Sequence, residues 1–377
     1  MGWGYNNYGQ TNTPANLTGV TQVACGVYHT YALKSGGTLV GWGDNGYGQI
    51  NMPANLTGVT QVACGNYHTY ALKSDGTLVG WGDNLYGQTD TPTNLTGVTQ
   101  VACGGYHTYA LKSDGTLVGW GRNYEGQTNT PENLTGVTRV ACGYYHTYAL
   151  KSDGTLVGWG RNGYGQTNTP ANLTGVTQVA CGGYHTYALK SDGTLLGWGN
   201  NEYGQTNTPA NLTGVTQVAC GGLHTYSLKS DGTLLGWGSN SFGQTNTPAN
   251  LTGVAQVACG DRHTYALKGP PIFIASVKPI SGPSSGGTAI TITGTNFAQG
   301  AVVKIDGVLA TDVVVVSSTK ITAVTPAGFP GEAVVSVDWA IETAFYYRPE
   351  CGSDLDQNGS VDSGDIAILL LDFGPCQ

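Results

Sequence analysis

A cysteine recurs every 39 residues along most of this 377-residue chain, at Cys25, Cys64, Cys103, Cys142, Cys181, Cys220 and Cys259. A histidine keeps the same step from His29 to His263, and a tryptophan keeps it from Trp3 to Trp237. A fixed period of a few tens of residues marks a solenoid, a propeller or another array, in which a unit buries its apolar face only against its neighbours. Every reactive side chain in the repeat must therefore be weighed first as scaffold.

One period carries three strand patterns, GVTQVACG, HTYALK and TLLGWG, each rich in β-branched or aromatic residues. A Cys-Gly-x-x-His turn joins the first two, and Ser-Asp-Gly-Thr joins the second to the third. The stretch NNEYGQTNTPANLT that follows has room for a short fourth strand, and its proline and asparagines disfavour helix. No segment keeps a 3.6-residue apolar period. Four short antiparallel strands in each of seven units predict an all-β fold, with a seven-bladed β-propeller over residues 1–269. Composition agrees, since 10% charged residues and 60 glycines suit blades packed on both faces. The array opens at Gly2-Trp3-Gly4 and stops at Ala266-Leu267-Lys268, so the N-terminal strand should complete the last blade. The Thr-Leu-Val that precedes this tripeptide elsewhere is absent there, and residues upstream of Met1 are expected to be missing.

The unit V-A-C-G-x-Y-H-T-Y-A-L-K-S-D-G-T-L-V-G-W-G-x-N-x-Y-G-Q resembles the repeat of the regulator of chromosome condensation family. Its shortness, the start at GWGYNN and the end at YALKG are similar to the secreted beta-lactamase inhibitory proteins of that type. The resemblance implies a seven-bladed propeller and leaves function open, because such propellers serve unrelated purposes.

The apparent chemistry of the repeat reduces to scaffold. His185 begins a strand whose far end carries Ser191 and Asp192, ~20 Å away, beyond the reach of a triad. Cys181 and His185 flank one turn, but seven equivalent pairs around a ring offer no single cleft for a nucleophile. The expectation is a small buried thiol beside a histidine that hydrogen-bonds the turn backbone, free thiols throughout, tryptophan wedges between blades, and no catalytic residue. A ring of histidines chelating metal in a central channel is the weaker alternative. Asn16-Leu17-Thr18 and its counterparts match the N-glycosylation sequon, as one repeated turn would produce automatically.

Differences between units concentrate at one end. Antiparallel order puts the Cys-Gly-x-x-His turn and the loop after GWG on the same edge. Those two loops vary, carrying Tyr28, Tyr67, Tyr106, Tyr145, Tyr184 and Arg262 in one, and Tyr5, Asp44, Asp83, Arg122, Arg161, Asn200 and Ser239 in the other. Tyrosine with scattered charge suits recognition of an irregular partner, and Tyr28, Tyr67, Tyr106, Tyr145, Tyr184, Arg122, Arg161 and Arg262 form the candidate binding face.

Two small modules follow. IFIASVKPISGPSSGGTAITITGTNF resembles the opening of an immunoglobulin-like IPT/TIG domain, so 270–349 is expected to form a small β-sandwich. In 350–377, Asp354, Asp356, Asn358, Ser360, Asp362 and Asp365 hold positions 1, 3, 5, 7, 9 and 12 of a calcium loop, with Gly359 at the sharp turn. Asp at position 12 followed by an apolar helix pattern resembles a single dockerin-type repeat, where that family carries two. Cys351 and Cys376 bracket the module and are placed to close it as a disulfide.

Net charge is −8, and most of it lies in the C-terminal third. No basic stripe suits nucleic acid and no apolar run of ~20 residues could span a membrane. No signal peptide opens the chain, yet the calcium loop, the cysteine pair and the IPT-like module favour a secreted or cell-surface setting. The expected role is a monomeric, non-catalytic binding or scaffold protein, recognising a protein or glycan through the upper loops, with calcium in the tail. Alternatives are a secreted inhibitor of a hydrolase such as a beta-lactamase and, less favoured, a guanine-nucleotide exchange factor.

Overall fold

The computed structural model describes residues 1–269, 273–297, 301–337 and 340–348. They fall into two compact units, the chain passing from one to the other after Gly269.

The first unit consists of seven three-stranded antiparallel sheets. Val20–Cys25, His29–Lys34 and Leu39–Gly43 lie side by side in one sheet, and the same trio recurs in the next five repeats. The seventh sheet joins Val254–Cys259 and His263–Lys268 to the N-terminal Gly2–Gly4. Trp3 stands opposite Thr264 in that register, so the ring is fastened by its own first strand, as expected.

The fourth strand does not form among the described residues. Side chains have captured the backbone that a strand would need. Asn6 Oδ1 accepts from the Thr11 amide at 2.9 Å, Asn6 Nδ2 donates to Asn12 Oδ1 at 2.7 Å, and Gln10 Oε1 accepts from the Tyr8 amide at 3.1 Å. Asn16 then takes φ of 61°, and its six counterparts match it, which explains the recurring asparagine without any sugar.

Packing between blades has one repeated joint. Trp81 Nε1 donates to the Tyr31 hydroxyl of the preceding blade and to the Gln49 carbonyl, both at 3.0 Å. The two rings meet edge to face with centroids 5.6 Å apart, an arrangement that contributes roughly 0.5–1.5 kcal/mol beyond area burial. Glycines flank the tryptophan for separate reasons. A Cβ on Gly80 would fall inside the Tyr70 ring, while Gly82 sits at φ +100° with its Cβ direction closed by the Tyr67 carbonyl.

The blades are also laced by glutamines. Gln22 Nε2 donates to the Val62 carbonyl at 3.1 Å, and its Oε1 accepts from the Val62 amide at 3.0 Å. The lacing recurs between the other blades, except where Arg139 replaces the glutamine, and it joins the last blade to the first through Gln256 on Val23.

In the second unit, a four-stranded sheet (Phe273–Lys278, Ala289–Thr295, Lys320–Val324, Thr311–Ser317) accompanies a five-stranded sheet that includes Val303–Ile305 and Gly331–Val337. Ile274, Ile292, Val303, Ile321 and Val335 fill the core between them. This is the expected sandwich.

Candidate functional site

His29 pairs with Gly43 and Thr30 with Cys25, which puts the loop after each Cys and the turn after each GWG on one edge of every sheet. The two variable loops therefore share a face.

At the centre of that face the seven Cys-Gly pairs line an axial cavity of about 80 Å³. The thiols are free and half-buried, bordering this cavity on one side and packing against the apolar clusters of the blades on the other. Cys103 Sγ faces the Ala63 carbonyl of the preceding blade at 3.6 Å. Burial pushes the Cys25 and Cys142 thiols up to about 12, so they stay neutral near pH 7 and lack the thiolate that a nucleophile or soft-metal ligand needs.

The histidines are fully buried and none lines the cavity; each bonds through Nε2 to the next blade instead of to the backbone of its own turn, a correction to the expectation. His29 Nε2 meets Thr69 Oγ1 of the next blade at 3.0 Å, and the Thr69 hydroxyl donates to the Gln49 carbonyl at 3.2 Å. With its only proton committed, the threonine must accept, which fixes Nε2 as the protonated nitrogen. The same pair recurs around the ring and closes with His263 on Thr30 at 3.1 Å. Burial holds each imidazole at about 3, so they are neutral struts. Among the described residues, no three His, Cys, Asp or Glu side chains are grouped to hold a metal.

The mouth of the cavity is bridged. The Tyr144 hydroxyl donates to Asp261 Oδ1 in a sheet three repeats further on, and Arg262 Nε donates to Asp261 Oδ2 at 3.1 Å. Tyr144 and Asp261 occupy the position that is glycine at Gly105, Gly183 and Gly222. A Cβ on Gly222 would collide with the Asp261 carboxylate.

Around the mouth runs an arc of tyrosines. Tyr28, Tyr67, Tyr106, Tyr145 and Tyr184 follow one another with centroids 6.1–6.4 Å apart. A second, outer set packs against them: Tyr8 on Tyr28 and Tyr47 on Tyr67 at 4.9 Å, Tyr86 on Tyr106 and Tyr164 on Tyr184 at 5.6 Å. Phe242 joins through Tyr5 at 5.0 Å. Arg122 lies 4.9–5.8 Å from the centroids of Tyr86, Tyr106, Tyr124 and Tyr145. Arg161 reaches Tyr145 and Tyr184, with Nη1 4.0 Å from Glu125 Oε1, and Arg262 covers Phe242. All eight residues singled out from the sequence are thus on one face. Arg262 has a further role there, as a clamp on Asp261.

The outer aromatics escaped the sequence reading. They belong to the recurring Tyr-Gly-Gln, whose constancy suggested packing, yet Tyr8 and Tyr47 are at least half exposed. The irregular register at Tyr124-Glu125, where the other units have Tyr or Phe before Gly-Gln, was the available signal.

The residue after GWG divides the blades. Asp44 Oδ2 accepts from Gln49 Nε2 at 2.8 Å, and Asp83 treats Gln88 identically. Asn200 and Ser239 serve Gln205 and Gln244 in the same way. Where that position is Tyr5, Arg122 or Arg161, the buried amide nitrogens of Gln10, Gln127 and Gln166 have no partner, and neither does the buried Nε of Arg122.

Asp354, Asp356, Asn358, Ser360, Asp362, Asp365, Cys351 and Cys376 lie outside the described residues. No helix among the described residues is long and apolar enough to cross a membrane.

Residues 20–49, 59–88, 98–127, 137–166, 176–205 and 215–244 match the regulator of chromosome condensation (RCC1) repeat, and residues 271–340 match the IPT/TIG domain. Prp20p from Saccharomyces cerevisiae is similar in structure, with 19% identity and a TM-score of 0.61 over 70% of this chain and 90% of that one; its structure is described together with binding to Gsp1p and histones. Human WBSCR16 aligns at 22% identity with a TM-score of 0.59, over 71% of this chain and 99% of its own. The ectodomain of the Physcomitrella patens receptor kinase CR4 aligns at 19% identity with a TM-score of 0.56, over 68% of this chain and 76% of its own. No match was found among curated protein sequences. The chain thus carries six stretches that match the RCC1 repeat, within a propeller of RCC1-like fold, followed by a stretch that matches the TIG domain.

Proposed function

We propose that this is a non-catalytic binding or scaffold protein of the cell surface or extracellular space. Its propeller takes a protein or glycan partner on the tyrosine-lined face. One observation carries the reading: a continuous arc of aromatic side chains on a single edge, seeded with Arg122 and Arg161 and backed by a rigid ring. Tyrosine supplies large contact area at low entropic cost, and arginine stacked on it is held ready for polar contact. Neutral thiols and neutral, buried histidines, each tied through Nε2 to a threonine of the next blade, leave the conspicuous groups of the repeat as scaffold, which favours recognition over chemistry. The tail contributes a calcium loop through Asp354, Asp356, Asn358, Ser360, Asp362 and Asp365, and the pairing of Cys351 with Cys376 suits an oxidising compartment.

The test is capture from the native extracellular milieu, with and without calcium, using the whole chain and a Tyr106→Ala, Tyr145→Ala, Tyr184→Ala variant. Loss of the wild-type partner by the variant, with unchanged circular dichroism, supports the face, whereas equal capture removes it. Calorimetric calcium titration of an Asp354→Ala, Asp365→Ala variant tests the tail, and undiminished binding there removes the loop.

A further inference from the structure

We propose that the turn holding Arg122 and Gln127 is a seat for a carboxylate supplied by the partner, with a second seat one blade on, at Arg161 and Gln166. The inference deepens the binding-face reading and rests on it. It identifies the partner segment as an acidic peptide.

The seat is built by the repeat itself. In the turn of Asp44, two donors converge on one carboxylate: Gln49 Nε2 reaches Oδ2 at 2.8 Å and the Gly46 amide reaches Oδ1 at 3.2 Å. Asp83 receives Gln88 Nε2 at 2.8 Å and the Leu85 amide at 3.1 Å in the same manner. The cradle is thus sized for two oxygens on one carbon.

At Arg122 the cradle remains and the acid is gone. Gln127 keeps its orientation, because its Oε1 accepts from the Glu125 amide at 2.9 Å, so Nε2 is directed as in the sibling turns. That nitrogen belongs to a side chain with no exposed surface and has no partner, and Arg122 Nε is buried and unpartnered as well. A buried donor left without an acceptor is unfavourable, and an incoming oxyanion relieves two such donors at once. The exchange of residues also reverses the charge, placing a guanidinium where Asp44 and Asp83 have carboxylates. Tyr86, Tyr106, Tyr124 and Tyr145 flank that guanidinium and hold it in place, so that less side-chain freedom is lost when it meets an anion.

The turn of Arg161 repeats the pattern with an unpartnered Gln166 Nε2, but Glu125 already stands 4.0 Å from its guanidinium. The Arg122 seat is therefore the stronger one. Gln10 is orphaned too, beneath Tyr5 and with no cation replacing the acid, and serves as an internal reference. Two acid seats one blade apart with tyrosines between them suit acidic side chains separated by apolar ones. A peptide supplies that alternation, and a polyuronate does not.

The test is a titration of the whole ¹⁵N-labelled protein with acetate at constant ionic strength, following the side-chain amide signals of the glutamines. Gln127 and Gln166 are expected to move along saturable curves while Gln49 and Gln88 stay fixed. In Arg122→Asp, which gives this turn the acid of its siblings, Gln127 should cease to respond while Gln166 still moves. Arg122→Gln, a milder change, should weaken the apparent affinity at Gln127 about tenfold. A peptide with two glutamates flanking a tyrosine should saturate both signals at lower concentration than acetate. The proposal is overturned by immobile Gln127 in the wild type, by equal movement of Gln49 and Gln88, by response to inorganic phosphate without response to acetate, or by tighter response to oligogalacturonate than to the peptide. No partner is needed for this titration, so its failure leaves the tyrosine experiment standing, and the converse holds.

Discussion

At the scale of single residues, the variable position after GWG decides whether a buried glutamine amide is satisfied, and in the proposed reading it also sets recognition. An aspartate there satisfies a buried glutamine amide from within, and an arginine leaves it open. Removing the internal acceptor should therefore cost what an unsatisfied buried donor costs. Asp83→Ala strands Gln88 Nε2, now held at 2.8 Å in a fully buried side chain, and should lower unfolding free energy by about 1–3 kcal/mol. Urea denaturation checks this, with Asn84→Ala excluded as a control because Asn84 also bonds Asp90. The exposed Glu132→Ala is the better reference and should leave the midpoint within about 0.5 kcal/mol of wild type. An Asp83→Ala midpoint that matches this reference would show that the amide is satisfied by water.

At the scale of elements, the three strands and both tight turns were legible in the sequence, because β-branched runs, alternation and Ser-Asp-Gly-Thr are local signals. The missing fourth strand was not, since it depends on Asn6, Gln10 and their equivalents spending side-chain oxygens on nearby amides. The candidate face was half legible: variation pointed to Tyr28 and Arg122, whereas the outer tyrosines were hidden by their regularity. The orphaned glutamines were out of reach, because their burial follows from the ring. One interruption between elements gives a further test. The glutamine lacing of Gln22, Gln61, Gln100, Gln178, Gln217 and Gln256 is broken where the equivalent residue is Arg139, which is exposed. Arg139→Gln should restore a two-bond bridge to Val179 and raise stability by about 1–2 kcal/mol, read as a higher urea midpoint with unchanged slope. No gain would mean that the Val179 amide has another partner in solution.

At the scale of the whole molecule, closure makes the seven histidines a single load shared around the ring. Each is held neutral at about 3, while in an unfolded chain it would titrate near 6.5. Between those values the unfolded chain binds more protons than the folded one, so stability is full above pH 6.5 and falls as pH drops toward 3. Each histidine contributes up to about 1.4 kcal/mol per pH unit, and seven together approach ~10 kcal/mol per unit. Set against the ~5–15 kcal/mol of an ordinary domain, that slope should exhaust the propeller within about two units below 6.5. The carboxylates of Asp114, Asp153 and Asp192, held at about 2 by their threonine and lysine neighbours, act in the same direction but only below 3.8. Acid unfolding above pH 4 therefore belongs to the histidines. Urea midpoints taken from pH 7 to pH 5 should fall steeply, and the imidazole Cε1 proton signals of the native protein should stay fixed over the same range. Titration of those signals in the folded state, or a flat midpoint, would mean that water reaches the His–Thr joints and that the ring opens between blades.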